Sequence, residues 1–230
     1  MTVLIIGALE EEIEGVKRLL GNAKAERAGA FNYTRGKVEN CELLVCLSGV
    51  GKTNAAAAAS AILACEKKID GVINIGVAGG IGEGVKRGDI VLGERTVHHD
   101  YDQTPDGLKK GQVQGFDSEY FYGSKQLITL LERALTEQNV GYKVGIIASG
   151  DQFIASNKEA KRINGEFGAL ACDFESAPIA QVCCLYGVPF VSMRAISDNG
   201  GDGAVESFYE FLTKVTVNST KAIAAFCKLI

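Results

Sequence analysis

Residues 171–198 read ACDFESAPIAQVCCLYGVPFVSMRAISD, and this stretch decides the expected fold. Apolar residues recur at three- and four-residue steps from Ser176 to Tyr186, which predicts a half-buried helix. Gly187 ends that helix, and the mostly apolar run from Val188 to Ile196 predicts a strand. Open α/β sheets bind ligands at the carboxyl ends of their strands, so we expect the functional site beside this unit. The charged residues that flank it are Asp173, Glu175, Arg194 and Asp198.

The same alternation of short apolar strands and amphipathic helices extends over the rest of the chain. It predicts one α/β domain covering residues 1–230, with a central mixed β-sheet flanked by helices in three layers. The predicted strands are Val3–Gly7, Gly29–Val38, Cys41–Leu47, Gly71–Gly76 and Val144–Ala148. The predicted helices are Asn54–Cys65, Ser124–Asn139 and Phe208–Ile230, with a further one that carries Ile13, Val16 and Leu20.

Composition excludes several classes of protein. The net charge of −4 argues against a nucleic-acid partner, because phosphates favour a basic surface. No apolar run approaches the roughly 20 residues that span a bilayer, and the N-terminus does not resemble a signal sequence. The seven cysteines are odd in number and contain no Cys-x-x-Cys pair, which indicates reduced thiols. We therefore expect a cytoplasmic protein without membrane contact.

Two glycine-rich loops and a histidine pair invite cofactor or metal assignments. The loop 48–53 lacks the first glycine of a phosphate-binding loop, because Cys46 stands there. After Gly80 and Gly82, Val85 replaces the third glycine of a dinucleotide fingerprint. His98 and His99 are adjacent, so on a strand they point to opposite faces, and no third ligand follows at a recognisable spacing. We expect neither a cofactor nor a metal.

Seven short motifs occur along the chain, and their order and spacing are informative. They are IIGALEEE (5–12), SGVGK (48–52), GVAGG (76–80), RGDIV (87–91), SGDQFI (149–154), DFE (173–175) and RAISD (194–198). In this order and spacing the chain resembles the purine nucleoside phosphorylase and nucleosidase superfamily. Within it, the chain is most similar to the 5'-methylthioadenosine/S-adenosylhomocysteine nucleosidases. The resemblance implies a single three-layer domain, a purine nucleoside substrate, no cofactor and a homodimer.

The resemblance also implies catalytic roles. Asp198 would donate a proton to purine N7, which requires a pKa raised by burial or nearby carboxylates. Glu175 would bind the ribose hydroxyls and stabilise the oxocarbenium-like transition state. Glu12 would take a proton from the attacking water, while Arg194 and Ser197 would hold the water and the acid.

A further set of residues would bind the substrate. Phe153 and Ile154 would sandwich and read adenine, and Phe208 would cover the sugar and purine. The remaining residues implied in substrate binding are Leu9, Val50, Val77 and Phe174. By residue type alone, other roles fit equally: Asp198 could cap a turn, Arg194 could form a surface ion pair, and Phe208 could belong to the core.

The chain departs from the family pattern around the 5' group. The family usually has methionine at positions 9 and 174 and a small hydroxyl residue at position 77. Its Phe-Gly-Tyr segment corresponds here to residues 106–108, Asp-Gly-Leu. These changes weaken an apolar thioether pocket and suit a polar or larger 5' substituent. The irregular segment Gln103 to Gly115 is expected near the neighbouring subunit's site.

Hydrolysis of methylthioadenosine and S-adenosylhomocysteine, with release of adenine, is the expected reaction. Four glutamates lie between positions 10 and 14, and no basic residue precedes Lys17, which favours water over phosphate as the nucleophile. Three alternatives remain open: a futalosine-type nucleosidase, a phosphorylase, and a nucleoside-binding protein that has lost turnover.

Overall fold

A ten-stranded mixed β-sheet forms the centre of the molecule. The computed structural model describes residues 1–198, 201 and 204–230, without the side chains of 205–211 and 213–215. The strands are β1 (Thr2–Gly7), β2 (Gly21–Ala28), β3 (Phe31–Val38), β4 (Cys41–Leu47), β5 (Gly71–Gly80), β6 (Ile90–His98), β7 (Phe121–Tyr122), β8 (Tyr142–Ser149), β9 (Ala169–Asp173) and β10 (Phe190–Asp198). The helices are α1 (Glu10–Leu19), α2 (Lys52–Cys65), α3 (Lys125–Glu137), α4 (Asn157–Phe167), α5 (Ser176–Tyr186) and α6 (Ala204–Lys228).

Parallel and antiparallel pairings occur in the same sheet, as the sequence predicts. Strands β4, β1, β5 and β10 run parallel in that order, and β3 and β2 continue antiparallel beyond β4. On the other side, β10 pairs antiparallel with β6, and β6, β8 and β9 run parallel. Strand β9 also pairs antiparallel with β5. The five strands β5, β10, β6, β8 and β9 therefore form a closed ring of pairings.

This closure brings the carboxyl ends of several strands to one place. Because β9 and β5 are antiparallel where their last residues meet, Cys172 lies opposite Gly79. Ser149 at the end of β8 lies beside Asp173 at the end of β9. Asp198 at the end of β10 pairs with Gly79. Side chains that follow four different strands therefore converge on one depression.

Helices cover both faces of the sheet and complete the three layers. On one face, α1, α3 and α6 pack together over a core that contains Ile13, Leu131 and Phe226. On the other face, α2 and α5 pack together, and the small side chains of the alanine-rich α2 permit close approach. Among the described residues, no helix is both long enough and apolar enough to cross a membrane.

The predicted helix from Ser176 to Tyr186 is confirmed to the residue. Gly187 follows it with φ +67°, a left-handed conformation that glycine adopts without steric cost. The strand predicted from Val188 begins and ends two residues later, so Arg194 lies inside β10 rather than at its end. The C-terminal helix begins at Ala204, four residues before the predicted Phe208.

Candidate active site

A cavity of about 540 Å³ occupies the place where the strand ends converge. Most of the residues that the sequence nominated line it, namely Leu9, Glu12, Val50, Val77, Phe153, Ile154, Phe174, Glu175, Ser197 and Asp198. Arg194 does not line the cavity but lies buried beside it, in contact with Glu175. The side chain of Phe208 lies outside the described part of the chain.

Glu12 is a buried carboxylate held by backbone donors. It occupies the third position of α1, and its Oε2 accepts hydrogen bonds from the N–H groups of Ala8 and Leu9 at 2.7 and 2.9 Å. Its Oε1 accepts from the N–H of Val77 on β5 at 2.9 Å. Burial raises the pKa of Glu12, although Arg194 and these N–H groups lower it. Glu12 is therefore a fixed carboxylate at the cavity wall, and not merely a charge at a helix start.

Arg194 is a fully buried cation surrounded by acids, which removes the surface ion-pair interpretation. Its Nε lies 2.7 Å from Oδ2 of Asp173, and its Nη2 lies 3.3 Å from Oε2 of Glu175. Burial lowers the pKa of Arg194 and these carboxylates raise it, and the net shift is upward. The guanidinium therefore stays charged and anchors the acids around it.

Glu175 connects this cation to the glycine-rich loop of residues 48–52. Its Oε1 accepts a hydrogen bond of 3.1 Å from the N–H of Gly51, a residue whose φ of +102° favours glycine. Burial raises the pKa of Glu175, with Arg194 opposing the shift and Asp173 and Glu12 reinforcing it. The loop thus lacks a phosphate-binding sequence but supplies a donor to a site carboxylate.

Asp198 ends β10 with its side chain buried at the cavity wall. The hydroxyl of Ser197 donates to its Oδ2 at 2.8 Å and also reaches the carbonyl of Ala78 at 3.4 Å. This arrangement fixes the orientation of the Asp198 carboxyl and makes its assignment as a turn cap unnecessary.

Apolar side chains form the other walls. Ile154 is buried, whereas Phe153 and Val50 are 43% and 46% exposed at the mouth. No described residue of the segment 103–115 lines the cavity. That segment contains a single 3-10 turn, Thr104–Asp106.

The sequence did not assign roles to three further residues at the site. Asp173 lines the cavity and pairs with Arg194, although it was noted only as a flanking charge. Asn74, buried on β5, accepts a short hydrogen bond from Nη2 of Arg194 through Oδ1. Only glycine fits at position 76, because a Cβ on Gly76 would overlap Nη1 of Arg194 and lie 2.8 Å from Oε1 of Glu12. The GVAGG motif contains Gly76, but only the three-dimensional packing reveals its neighbours.

The two histidines occupy different environments. Nε2 of His98 lies 3.0 Å from Oε1 of Gln181 on α5, and burial lowers the pKa of His98 to about 4. His99 is buried against Gly150. Within the described ranges, no three His, Cys, Asp or Glu side chains cluster closely enough to bind a metal ion.

Comparison with known proteins places this fold and site in a family. The model of the phosphorylase superfamily matches residues 2–228. A 5'-methylthioadenosine/S-adenosylhomocysteine nucleosidase of Exiguobacterium sp. is 38% identical over 229 residues, which cover 99% of this chain and 98% of that protein.

Solved structures agree with this assignment. The nucleosidase of the same name from Neisseria meningitidis, in complex with methylthio-immucillin-A, superposes with a TM-score of 0.95 at 39% identity, covering 100% of this chain and 99% of that one. A futalosine hydrolase mutant of Helicobacter pylori gives a TM-score of 0.94 at 29% identity, with both chains fully covered. This chain therefore belongs to the phosphorylase superfamily and, within it, to the family of 5'-methylthioadenosine/S-adenosylhomocysteine nucleosidases.

Proposed function

We propose that the protein hydrolyses the N-glycosidic bond of 5'-methylthioadenosine and S-adenosylhomocysteine and releases adenine. Membership of the nucleosidase family supports this reaction. The cavity supports it chemically, because it combines an apolar wall for a purine with buried carboxylates that suit acid–base catalysis. The protein is accordingly a purine nucleoside N-glycosidase.

Departure of adenine requires a proton at the purine. In the proposed step the C1'–N9 bond breaks, its electron pair moves into the purine ring, and Asp198 donates a proton to N7. The hydrogen bond from Ser197 keeps the carboxyl of Asp198 in place. Phe153 and Ile154 provide the apolar surfaces between which the base lies.

Attack at C1' requires an activated water. Glu12 is the proposed base, because three backbone N–H groups fix its carboxylate. The carboxylate lies beside Gly76, whose missing side chain leaves room there for a water. Nη1 of Arg194 has no hydrogen-bond partner among the described residues and lies on the same side of Gly76. A water between these two groups would donate to Glu12 and accept from Arg194.

Charge develops on the sugar as the bond breaks. Glu175 is the proposed ribose-binding carboxylate, since it lies between Arg194 and the cavity and stabilises positive charge at C1'. Leu9, Val50, Val77 and Phe174 form the apolar wall proposed to contact the sugar and its 5' substituent.

The charge of the lining is the observation that favours hydrolysis over phosphorolysis. Among the described residues, the cavity is lined by Glu11, Glu12, Asp173, Glu175 and Asp198 and by no lysine or arginine. Carboxylates repel a phosphate ion but activate water. The test is adenine release from both thionucleosides in phosphate-free buffer. Release that appears only when phosphate is added would make the enzyme a phosphorylase.

A futalosine-type nucleosidase is the second candidate. The structural similarity to a futalosine hydrolase and the Asp-Gly-Leu segment at 106–108 favour it. The two candidates share Glu12, Glu175 and Asp198 and differ only in the 5' group. Parallel assays with futalosine and methylthioadenosine distinguish them, and the larger kcat/KM identifies the substrate.

We further propose that the active form is a homodimer in which residues 103–115 of one subunit approach the site of the other. The exposed apolar residues at the cavity mouth, Val50 and Phe153, support a covering partner. Tyr122, Leu185 and Tyr186 are also exposed apolar residues. Sedimentation tests this proposal: a fully active monomer would exclude it.

We also infer a cytoplasmic location. All seven cysteines are described and free, five of them buried, as in proteins that fold in a reducing compartment. Fractionation of the native host with an antibody to the protein tests this inference.

A further inference from the structure

A cluster of buried polar side chains lies around Arg194, beside the cavity. It consists of Asn74 of β5, Ser149 of β8, Asp173 of β9, Ser176 of α5 and Ser192 of β10. Buried polar groups are costly unless they are hydrogen-bonded. Each member of this cluster contacts the guanidinium of Arg194, either directly or, for Ser149, through Asp173.

Asp173 is the centre of this cluster. Its Oδ1 accepts hydrogen bonds from the hydroxyl of Ser149 and, at 3.3 Å, from the N–H of Ser176. Its Oδ2 accepts from the hydroxyl of Ser176 and lies 2.7 Å from Nε of Arg194. Hydrogen bonds from Ser149 and Ser176 therefore fix the orientation of the Asp173 carboxylate that contacts the guanidinium.

The remaining contacts of Arg194 fix the plane of its guanidinium. Nε is also within 3.1 Å of Ser176 Oγ and 3.3 Å of Ser192 Oγ, and Nη2 contacts Asn74 and Glu175. With Nε and Nη2 held, Nη1 can only face Gly76 and Oε1 of Glu12.

We propose that Asp173 is a positioning residue that aims Arg194 at the nucleophile site and balances its charge, so that Glu12 remains an effective base. The proposal rests on the proposed hydrolysis. Asp173 acts through Arg194 and needs no contact with the reacting atoms.

The balance of charge gives the proposal a measurable signature. Arg194 of β10 acts on both Glu12 and Glu175, and Asp173 of β9 and Glu12 act on Glu175. Glu11 and Asp198 also lie on the cavity wall. With Asp173 neutralised, the positive charge of Arg194 acts on Glu12 and Glu175 alone. The pKa of each then falls, because an unopposed cation favours the carboxylate form.

Asp173→Asn tests this signature while keeping the size of the side chain. We expect kcat to fall about 10- to 100-fold, because a misdirected guanidinium misplaces the water, and KM to change less. The acid limb of the pH profile of kcat/KM, where the base ionises, should move to lower pH. An active variant whose acid limb stays at the wild-type pH overturns the proposal.

Two further variants make the result unambiguous. Glu66→Gln is the matched control, because it removes a carboxylate that pairs with Arg35 outside the site, and its pH profile should equal the wild type. Should Asp173→Asn fail to fold, Asp173→Glu keeps the charge but shifts it by a methylene. We expect about tenfold lower kcat with the wild-type acid limb, and a wild-type kcat overturns the proposal. Wild-type protein without any adenine release contradicts the proposed function instead.

Discussion

The N–H of Val77 donates a hydrogen bond of 2.9 Å to Oε1 of Glu12, across 65 positions of the chain. This bond joins the start of α1 to the middle of β5 and fixes the carboxylate beside Gly76. The proposed base is therefore held by the backbone of two elements, and its geometry depends on the space that Gly76 leaves.

Gly76→Ala should strongly lower turnover. The added Cβ would overlap Nη1 of Arg194 and press on Oε1 of Glu12, so one of them must move. Since a displacement of about 1 Å in a catalytic group costs about a hundredfold, we expect kcat to fall by about that factor or more. Steady-state kinetics with methylthioadenosine measure the effect.

Gly165→Ala is the matched control for that variant. Gly165 lies inside α4, and a Cβ there would meet no atom within 4 Å. Replacing glycine by alanine inside a helix stabilises by about 0.5–1 kcal/mol, which raises Tm by about 1–4 °C. Activity should be unchanged, and a comparable loss of kcat in Gly165→Ala would show that the effect at Gly76 is not local.

Glu12→Gln should lower kcat about 100- to 10,000-fold, the usual contribution of a general base. Glutamine retains the shape but cannot accept the proton of the water. Glu10→Gln is its control, because Glu10 pairs with Lys17 on the exposed side of α1. Equal kinetics of Glu12→Gln and Glu10→Gln would remove Glu12 from the mechanism.

Asp198→Asn should abolish turnover and preserve nucleoside binding. The amide keeps the volume of the side chain and can still accept from Ser197, but it offers no acidic proton. We expect a loss of at least about a hundredfold in kcat, with the Kd for methylthioadenosine nearly unchanged by calorimetry. A fully active Asp198→Asn enzyme would contradict its role as the acid.

Stability should fall in mild acid because of His98. Burial lowers its folded-state pKa from 6.5 to about 4, so the unfolded chain binds the proton first as pH falls. The contribution of His98 is complete above pH 6.5 and is lost as pH falls toward 4, up to about 3 kcal/mol. Lys52, Asp100, Asp173 and Gln181 face this ring.

Thermal unfolding of wild type and His98→Phe at pH 7 and pH 5 measures this contribution. The fall in Tm between the two pH values should be smaller in His98→Phe than in the wild type. Part of the fall should remain, because burial also lowers the pKa of His99, which this variant retains. An equal fall in both proteins would show that His98 does not titrate on unfolding.

The sequence predicts the strands and helices with strong periodicity, and the structure explains the exceptions. Strand β2, GNAKAERA, lacks a pattern of large apolar residues, since it is a largely exposed edge strand whose partner within the described part of the chain is β3. Helix α4 has only three buried residues, Ala160, Ile163 and Phe167, in a polar sequence. Both elements are determined by tertiary pairing rather than by local pattern.

The functional site likewise contains residues that the sequence predicts and residues that it does not. Residues in recognisable motifs, such as Glu12 and Asp198, could be nominated from sequence because the resemblance supplies their roles. The polar cluster around Asp173 could not, because its members come from four separated segments of the chain and single serines carry no pattern. Only the closure of β9 onto β5 brings them together.

Product identification tests the central claim most directly. Purified protein is incubated with methylthioadenosine, with and without phosphate, and both adenine and the sugar product are measured by mass. Hydrolysis predicts adenine and a free methylthioribose at the same rate in both buffers. A sugar 1-phosphate formed only with phosphate would contradict the account.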